Sequence, residues 1–475
     1  MAMLRLGTLA AGVGPCDGRH MSPLDAERRR VLAVLRRHGW NATSFQVLEP
    51  GFRYWFADDD ACAAYVDTGG AWVAAGAPLT AAHRVGEVAE RFRGAAHAAR
   101  RRVAFFGVEQ RLVEALPWPS LLIGEQPEWA ADAWLGALRS SSGLREQLRR
   151  ARAKGVTVRT ASSDELLSSS APLRRQLEQL VAAWLRRHEM APMGFLVQVD
   201  PLTLLEEHRV HVAEQNGRLV GFLTAAPIFA RPGWLLQNLI RAAEAPNGTT
   251  ELLVDHAMRD ALNEDDGERS PMVTLGLAPL AGQVVPALRL ARSAGSVLFD
   301  FEGLRAFKAR LRPGTWRPIF LVYPPGQGAV RTLLDVLGAF ARGRLLAFGL
   351  RTLLRGPTLV VRLLAALLVP WTVLLAVAEG WHFPAEWVRW AWVGVDVALA
   401  AALFRLAVRW SDRLSRVVVA AVGVDAVVTL AEVLAWNVPR MRGLGDALVA
   451  LVAVTAPSVA FVILWQARVR RRAPP

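Results

Sequence analysis

The feature that most constrains this chain is the abrupt rise in hydrophobicity after Leu350. Four stretches, near 357–378, 388–408, 415–436 and 443–466, each hold about 20 mainly apolar residues, the length a helix needs to cross a bilayer core. They follow an enzyme-sized region of about 330 residues. The total of 475 residues suits two or three domains rather than one core. The mean composition, 53% hydrophobic and 21% charged, therefore averages two unlike halves.

Charge is just as uneven. Of the formal net charge of +14, +9 lies within 331–475, where 17 Arg face 8 acidic residues. The first half is only modestly basic, which is compatible with an acidic partner without requiring one. Arg342, Arg344, Arg351 and Arg355 precede the first apolar stretch, Arg409, Arg413 and Arg416 separate the second from the third, and Arg468, Arg470, Arg471 and Arg472 follow the fourth. The remaining loops hold fewer: Arg389 in one, Arg440 and Arg442 in the other. The positive-inside rule then places the first half, the middle loop and the C-terminus in the cytoplasm, as in a multi-pass protein of a bacterial inner membrane.

Asp396, Asp425 and Glu432 fall inside the apolar stretches, where a charge is costly. Two readings stay open: a polar track for a headgroup or ion, or pairing with Arg362, Arg389 or Arg405 near the stretch boundaries. Segment 331–350 alternates Arg with Leu and Phe, as in a helix lying on the inner leaflet; an ordinary linker helix fits equally. Cys16 and Cys62 are too few and too far apart for a metal site or a disulfide framework, and no cofactor motif is present. Residues 1–20 lack the apolar run of a signal peptide and read as disordered, or as the product of an upstream start codon.

Within the first half, 47–56, 61–78 and 101–109 have the β-rich, glycine-punctuated look of strands, and helices are predicted at 83–99, 144–154 and 173–188. A hairpin over 208–230 turns at Asn216-Gly217, a strand follows at 233–241, and a helix at 248–262 is capped by Asn247 or Thr249. This pattern indicates an α/β or α+β fold in two similar halves, 21–180 and 181–328. A linker helix at 329–355, four transmembrane helices at 356–467 and a basic tail at 468–475 complete the organisation.

Several segments carry a resemblance: SFQVLEPGFRYWF, AYVDTGGAWVAAGAPL, LREQLRRARAKGV, APMGFLV, GFLTAAP, APNGTTELLVD, TLGLAPLAG and FEGLRAFKARLRPGTWRPIFLVYP. In this order, over about 44–324, they resemble the C-terminal catalytic domain of phosphatidylglycerol lysyltransferases and related aminoacyl-lipid synthases. The resemblance implies tandem GNAT-like halves, with aminoacyl-tRNA and a membrane phospholipid as partners and an amino acid moved to a lipid hydroxyl. In the best-known members many spans precede this domain, whereas here four follow it.

Such transfer needs a basic surface for the acceptor stem, donors for the oxyanion, and a route for the hydroxyl proton. Arg145, Arg149 and Arg152 share one helix face, and with Lys154 they form the candidate tRNA contact; a solvated surface helix is the competing reading. Pro246-Asn247-Gly248 turns the chain from strand to helix. Asn247, Gly248 and Thr249 are the candidate substrate-binding residues there, with Arg241 and Glu251 beside them as candidate catalytic groups. Asn238 stands where the resemblance implies an acidic residue three positions before Arg241, and an amide orients but does not act as a base. Lys308, one of two lysines in the chain, completes the candidate catalytic set as a compact cation for phosphate. Two other functions remain open at this stage. An acyl-CoA-dependent N-acyltransferase would need a pyrophosphate loop where the chain reads APNGTTE. A degenerate transferase domain would bind tRNA or lipid without catalysis.

Overall fold

The structure is a computed structural model that describes residues 23–472 apart from 169, 188–193, 198–203, 264–271, 286–287, 290–299, 346, 350–356, 378–382, 409 and 442. The expectations for residues 1–20, and for the tail beyond Arg472, lie outside the described residues.

Among the described residues, twelve strands form one mixed sheet. They are β1 (Arg53–Asp58), β2 (Ala61–Asp67), β3 (Ala71–Ala75), β4 (Arg102–Val108), β5 (Ser120–Ala130), β6 (Val156–Thr160), β7 (Arg209–Gln215), β8 (Arg218–Ile228), β9 (Gly233–Arg241), β10 (Met272–Thr274), β11 (Ala278–Pro279) and β12 (Thr315–Val322). Their order is β1-β2-β3-β4-β12-β5-β10-β9-β8-β7-β6, with β11 paired to β5. The helices of the sheet region include α1 (Pro23–His38), α2 (Val85–Ala98), α3 (Gln110–Ala115), α4 (Trp134–Ser140), α5 (Ser142–Ala153), α6 (Ser163–Leu167), α7 (Pro172–Arg187) and α8 (Thr249–Leu262).

One run occurs twice. β1-β2-β3 form an antiparallel meander, and α2 then crosses over to bring β4 parallel to β3. β7-β8-β9 repeat the meander, and α8 brings β10 parallel to β9. These are the two similar runs that the alternating pattern led one to expect. At the centre the halves exchange strands. β5 follows the first run but pairs with β10 of the second, while β12 follows the second and pairs with β4 of the first. β5 and β12 pair with each other along eight positions, Thr315↔Glu128 through Val322↔Ser120. Neither half can therefore leave without tearing the middle of the sheet.

Local chemistry explains the departures from the expected elements. The strand expected from residue 47 starts only at Arg53, because Ala42–Leu48 winds into a 3-10 helix that buries Phe45, Val47 and Leu48. Pro50-Gly51, with Gly51 at φ +107°, then turns the chain into β1. β5 and β12 carry Pro127 and Pro318, residues rarely tolerated in central strands, and their ladder is irregular at Ile319/Phe320.

Four helices end the described chain: Pro357–Val377, Glu386–Val408, Asp412–Glu432 and Leu444–Arg472. The third continues through a π turn and a 3-10 turn, so that Asp412–Arg440, like Glu386–Val408 and Leu444–Gln466, is long and apolar enough to cross a membrane. In the first, the continuous apolar stretch is Leu364–Val377, about 21 Å at 1.5 Å per residue. Val361, Leu403, Leu406, Val418, Val422 and Leu464 form a small shared core. Outside it large apolar residues face outward, among them Trp387, Phe404 and Val427, an arrangement suited to lipid and not to water. Of the carboxylates in these helices, Asp425 accepts from Thr429 (3.1 Å) and Glu432 from Trp392 (2.8 Å), while Arg389 pairs with Glu386 (3.0 Å).

Candidate functional site

The two parallel strands of the second run separate where the candidate residues begin. β9 and β10 pair at only three positions, ending at Leu235↔Thr274. Beyond that, β9 holds one residue more than β8 between the pairs Phe222↔Ile240 and Thr224↔Gln237. The resulting bulge falls at Asn238-Leu239, with Asn238 at φ +48°. Asn and Asp enter this left-handed region more readily than other residues with a Cβ. The residue type is thus accounted for by the backbone. Asn238 Nδ2 donates to Thr224 Oγ1 (3.0 Å), and Thr224 Oγ1 in turn donates to Gln237 O (3.3 Å).

Across this wedge runs Leu275–Leu277, the segment leaving β10. Lys308 holds it from the helix Phe301–Arg310: its Nζ donates to the carbonyls of Leu275 (2.8 Å), Gly276 (2.9 Å) and Leu277 (2.9 Å). Burial opposes the charge and pushes the amine down to about 7. Three N–H groups thus meet three carbonyls, and none is left for a phosphate. This corrects the expectation of Lys308 as a catalytic or phosphate-binding cation: it is buried and shapes the wall of the wedge.

Arg241 ends β9, exposed, with Nη1 donating to Ala245 O (3.1 Å) across the turn that follows. Glu251 lies half-buried in the first turn of α8. The cap of α8 is neither Asn247 nor Thr249 but Gly248, at φ +93°. A Cβ there would sit 2.1 Å from Gln147 O, so the glycine lets the turn press against the backbone of α5. Thr249 is buried and its hydroxyl donates to Pro246 O (2.7 Å); Asn247 is exposed. Of the three candidate substrate-binding residues, Asn247 alone has an exposed side chain; Gly248 and Thr249 form the packed side of the turn.

The basic residues of α5 all have protein partners. Arg145 Nη1 donates to Leu138 O (2.8 Å) and Arg139 O at the end of α4. Arg149 forms two hydrogen bonds to Glu146 (2.8 and 2.9 Å), which also accepts from Arg150 (2.7 Å). Their guanidinium groups hold the Glu146 carboxyl down to about 2. Arg152 reaches Asp255 of α8 (3.0 Å), a buried carboxylate that also accepts from Trp134 (2.9 Å) and Arg259 (3.1 Å). Lys154, just past α5, is exposed. The basic face thus stays at the surface while Arg152 ties it to the helix that starts at the candidate site.

Two polar clusters escaped the sequence pattern because their members are far apart in the chain. Beside Asn238, Gln46 Nε2 donates to Gln237 Oε1 (3.0 Å), and Gln237 Nε2 lies 3.1 Å from His208 Nε2. His208 Nδ1 faces Leu204 O at 2.9 Å, and a carbonyl only accepts. The proton therefore sits on Nδ1, and Nε2 accepts from the amide. Burial pushes the His208 pKa down, which keeps the ring neutral. The second cluster lies where the halves meet. Arg231 pairs with Glu109 (2.6 Å), and Glu128 takes Arg317 (2.5 Å) and the Gln126 amide (3.1 Å). Arg111 and Arg231 also lie over the Trp40 ring, at 5.2 and 5.3 Å.

With this geometry established, the comparisons place the chain. Among curated proteins none matches. Two solved structures share the fold: a C-terminal domain assigned to a lysylphosphatidylglycerol synthetase of Agrobacterium fabrum (22% identity, TM-score 0.54) and the L-PGS of Bacillus licheniformis (21%, TM-score 0.55). Each match covers 66% of this chain and 96% of the other. The sequence profile of the family described as phosphatidylglycerol lysyltransferase, C-terminal, matches residues 32–323, more than half of the chain, and the protein belongs to that family.

Proposed function

We propose that the protein is a membrane-anchored aminoacyltransferase that moves an amino acid from aminoacyl-tRNA to a hydroxyl of a phosphatidylglycerol-like lipid. The observation that carries this reading is a family match over 32–323 followed in the same chain by helices fit to cross a bilayer. In the reaction the lipid hydroxyl oxygen attacks the ester carbonyl of the aminoacyl-tRNA. A new ester forms, the ribose oxygen leaves, and the proton passes from the hydroxyl to that departing oxygen. Arg241 and the backbone N–H freed by the bulge at Asn238 are suited to the negative charge on the carbonyl oxygen. Glu251, or the amine of the amino acid itself, takes the proton. The exposed face of α5 with Lys154 offers phosphate contacts to the acceptor stem. An acyl-CoA reading is disfavoured, because the chain reads APNGTTE where a pyrophosphate loop would stand, and Gly248 there packs against Gln147 O.

Lipid extraction and chromatography from cells with and without the protein test the proposal. A ninhydrin-positive lipid is expected, and RNase is expected to abolish its formation in extracts. Formation that survives RNase would remove the tRNA donor from the reading, and no new lipid would leave a binding protein. The arginine distribution supports a sheet region on the cytoplasmic side of a bacterial inner membrane. A reporter fused after Pro475 should then read cytoplasmic, and one within 380–386 external.

A further inference from the structure

The helix Ala329–Phe340, which leads from the sheet towards the apolar helices, is apolar on two sides. Its inner side buries Val336 and Ala339 against the sheet, and Arg102 of β4 clamps Asp335 with two hydrogen bonds of 2.8 and 2.6 Å. The orientation of the helix is therefore fixed. On its outer side Val330, Leu334 and Leu337 are 74, 51 and 53% exposed. At 3.6 residues per turn they fall within about 60° of one another. A helix on a water-facing surface carries polar residues there, and one that is apolar on both sides has a partner on both. The stripe continues to the exposed Leu345, beside a groove of about 520 Å³ between this helix and the β2–β3 turn, lined by Thr68, Gly70, Gly338 and Arg344 among others.

Charge and chain continuity decide what covers this face. Between Asp335 and Glu379 the sequence has no acidic residue and five arginines: Arg342, Arg344, Arg351, Arg355 and Arg362. The first apolar helix begins at Pro357, and the twelve residues from Leu345 to it span at most about 40 Å when extended. A second copy packed through the same face would bring two sets of these arginines together. An anionic leaflet instead pairs them with opposite charge and gives the leucines an acyl region to enter.

We propose that this face seats the sheet region on the anionic leaflet into which the chain's own C-terminal helices insert. Leu334 and Leu337 lie below the headgroups, and Arg331, Arg342 and Arg344 at their level. The inference rests on the membrane attachment in the reading above and not on the transfer chemistry.

Single cysteines at Leu334, Leu337, Val427 and Arg218 of the full chain, with Cys16 replaced and Cys62 buried in the core, take the test. Each carries the fluorophore NBD, in nanodiscs of phosphatidylglycerol and phosphatidylcholine with and without shallow doxyl-labelled lipid. Val427, exposed on an apolar helix, reports insertion, and Arg218, on the β7–β8 hairpin, reports water. The expected result is a blue-shifted, doxyl-quenched signal at Leu334 and Leu337, weakened in pure phosphatidylcholine, with Arg218 unaffected. A blue shift without quenching means that protein covers the face, and a water-like signal means that nothing does; either overturns the proposal while Val427 is quenched. Loss of quenching at Val427 as well would instead sink the membrane reading beneath it.

Discussion

The two β-β-β-α-β runs share one topology and differ at one junction. In the first, β3 and β4 stay paired along five positions, Ala71↔Arg102 to Ala75↔Phe106, and β2 meets β3 in regular register. In the second, pairing between β9 and β10 stops after three positions, β9 bulges at Asn238, and Lys308 pins the segment that peels away. The burial of β3 is nearly continuous, while β9 becomes half-exposed from Gln237 to Leu239. Duplication of a scaffold thus leaves one copy free to close the sheet and the other free to open it. An opened parallel pair supplies unpaired backbone groups beside a helix start, which a transfer reaction can use.

The comparison breaks most visibly at Arg241. If the opened junction is the active one, Arg241→Ala lowers turnover by roughly 10²-fold or more, the scale of losing one preorganised donor. Arg241→Lys recovers little, since a point charge does not reproduce a planar fork. Melting temperature should move little, because Arg241 is exposed and its guanidinium bonds only locally, to the carbonyl of Ala245 four residues on. The closed junction gives the opposite result. Gly76 follows β3 at φ +71°, and a Cβ there would meet the Asn41 side chain at 2.9 Å. Gly76→Ala therefore costs stability, about 1 kcal/mol or more, with turnover per folded molecule unchanged. Equal losses of turnover from both changes would erase the distinction between the halves.

Lys308→Met tests the wall of the wedge. Removing the amine leaves the buried Gly276 carbonyl without this donor, at about 1–3 kcal/mol, and the half-buried Leu275 and Leu277 carbonyls at less. The pH dependence has a definite sign. The buried amine titrates near 7 in the folded chain against 10.5 for an ordinary lysine. Between those values the unfolded chain binds more protons, so stability rises with pH. Denaturant melts from pH 7 to 10 should show that rise in the wild type and lose it in Lys308→Met.

On α5 the expected effect is smaller and electrostatic. Changing Arg145, Arg149 and Arg152 together to Ala should weaken tRNA binding and flatten its salt dependence, by about 0.9 in slope for each phosphate that is no longer neutralised. An unchanged slope in a folded variant would mean that this face meets something else. Exposed ion pairs such as Arg149–Glu146 contribute little, so exchanging carboxylate for phosphate takes little free energy.

How much of this was legible in the sequence follows the range of the interactions. Hairpins, crossover helices and apolar stretches are local patterns, and they emerged near their expected places. The central strand β5 did not, because Pro127 masks it and its pairing joins positions about 190 residues apart, as in Thr315↔Glu128. At the candidate site, Arg241 and Glu251 lie beside one turn as the sequence suggested. Lys308 and Gly248 were visible as unusual residues, but their reasons, three carbonyls and a neighbouring helix backbone, come from distant segments. Gln46, His208 and Gln237 gave no signal at all, since single polar residues become a cluster only once three elements meet.

The finest test separates the backbone of the bulge from the side chain on it. Asn238 at φ +48° with its amide donating to Thr224 can serve the site in two ways, by holding β9 open or by presenting a polar group. Asn238→Gly keeps the left-handed conformation and removes the side chain. Asn238→Ala removes the side chain and adds about 1–2 kcal/mol of strain. If the opened backbone is what matters, the glycine variant keeps turnover within a few-fold of wild type, and the alanine variant loses stability and turnover together. Asn238→Asp keeps the conformation too, but Thr224 has one hydroxyl proton and must turn it from Gln237 O to the new carboxylate. It should therefore melt slightly below the wild type, and a change in turnover per folded molecule reports the carboxylate. A rise would mean that an acid at this position takes the hydroxyl proton better than Glu251 or the substrate amine does. A glycine variant that folds normally but is inactive would show that the amide itself works at the site, and that opening β9 is not sufficient to distinguish the second half from the first.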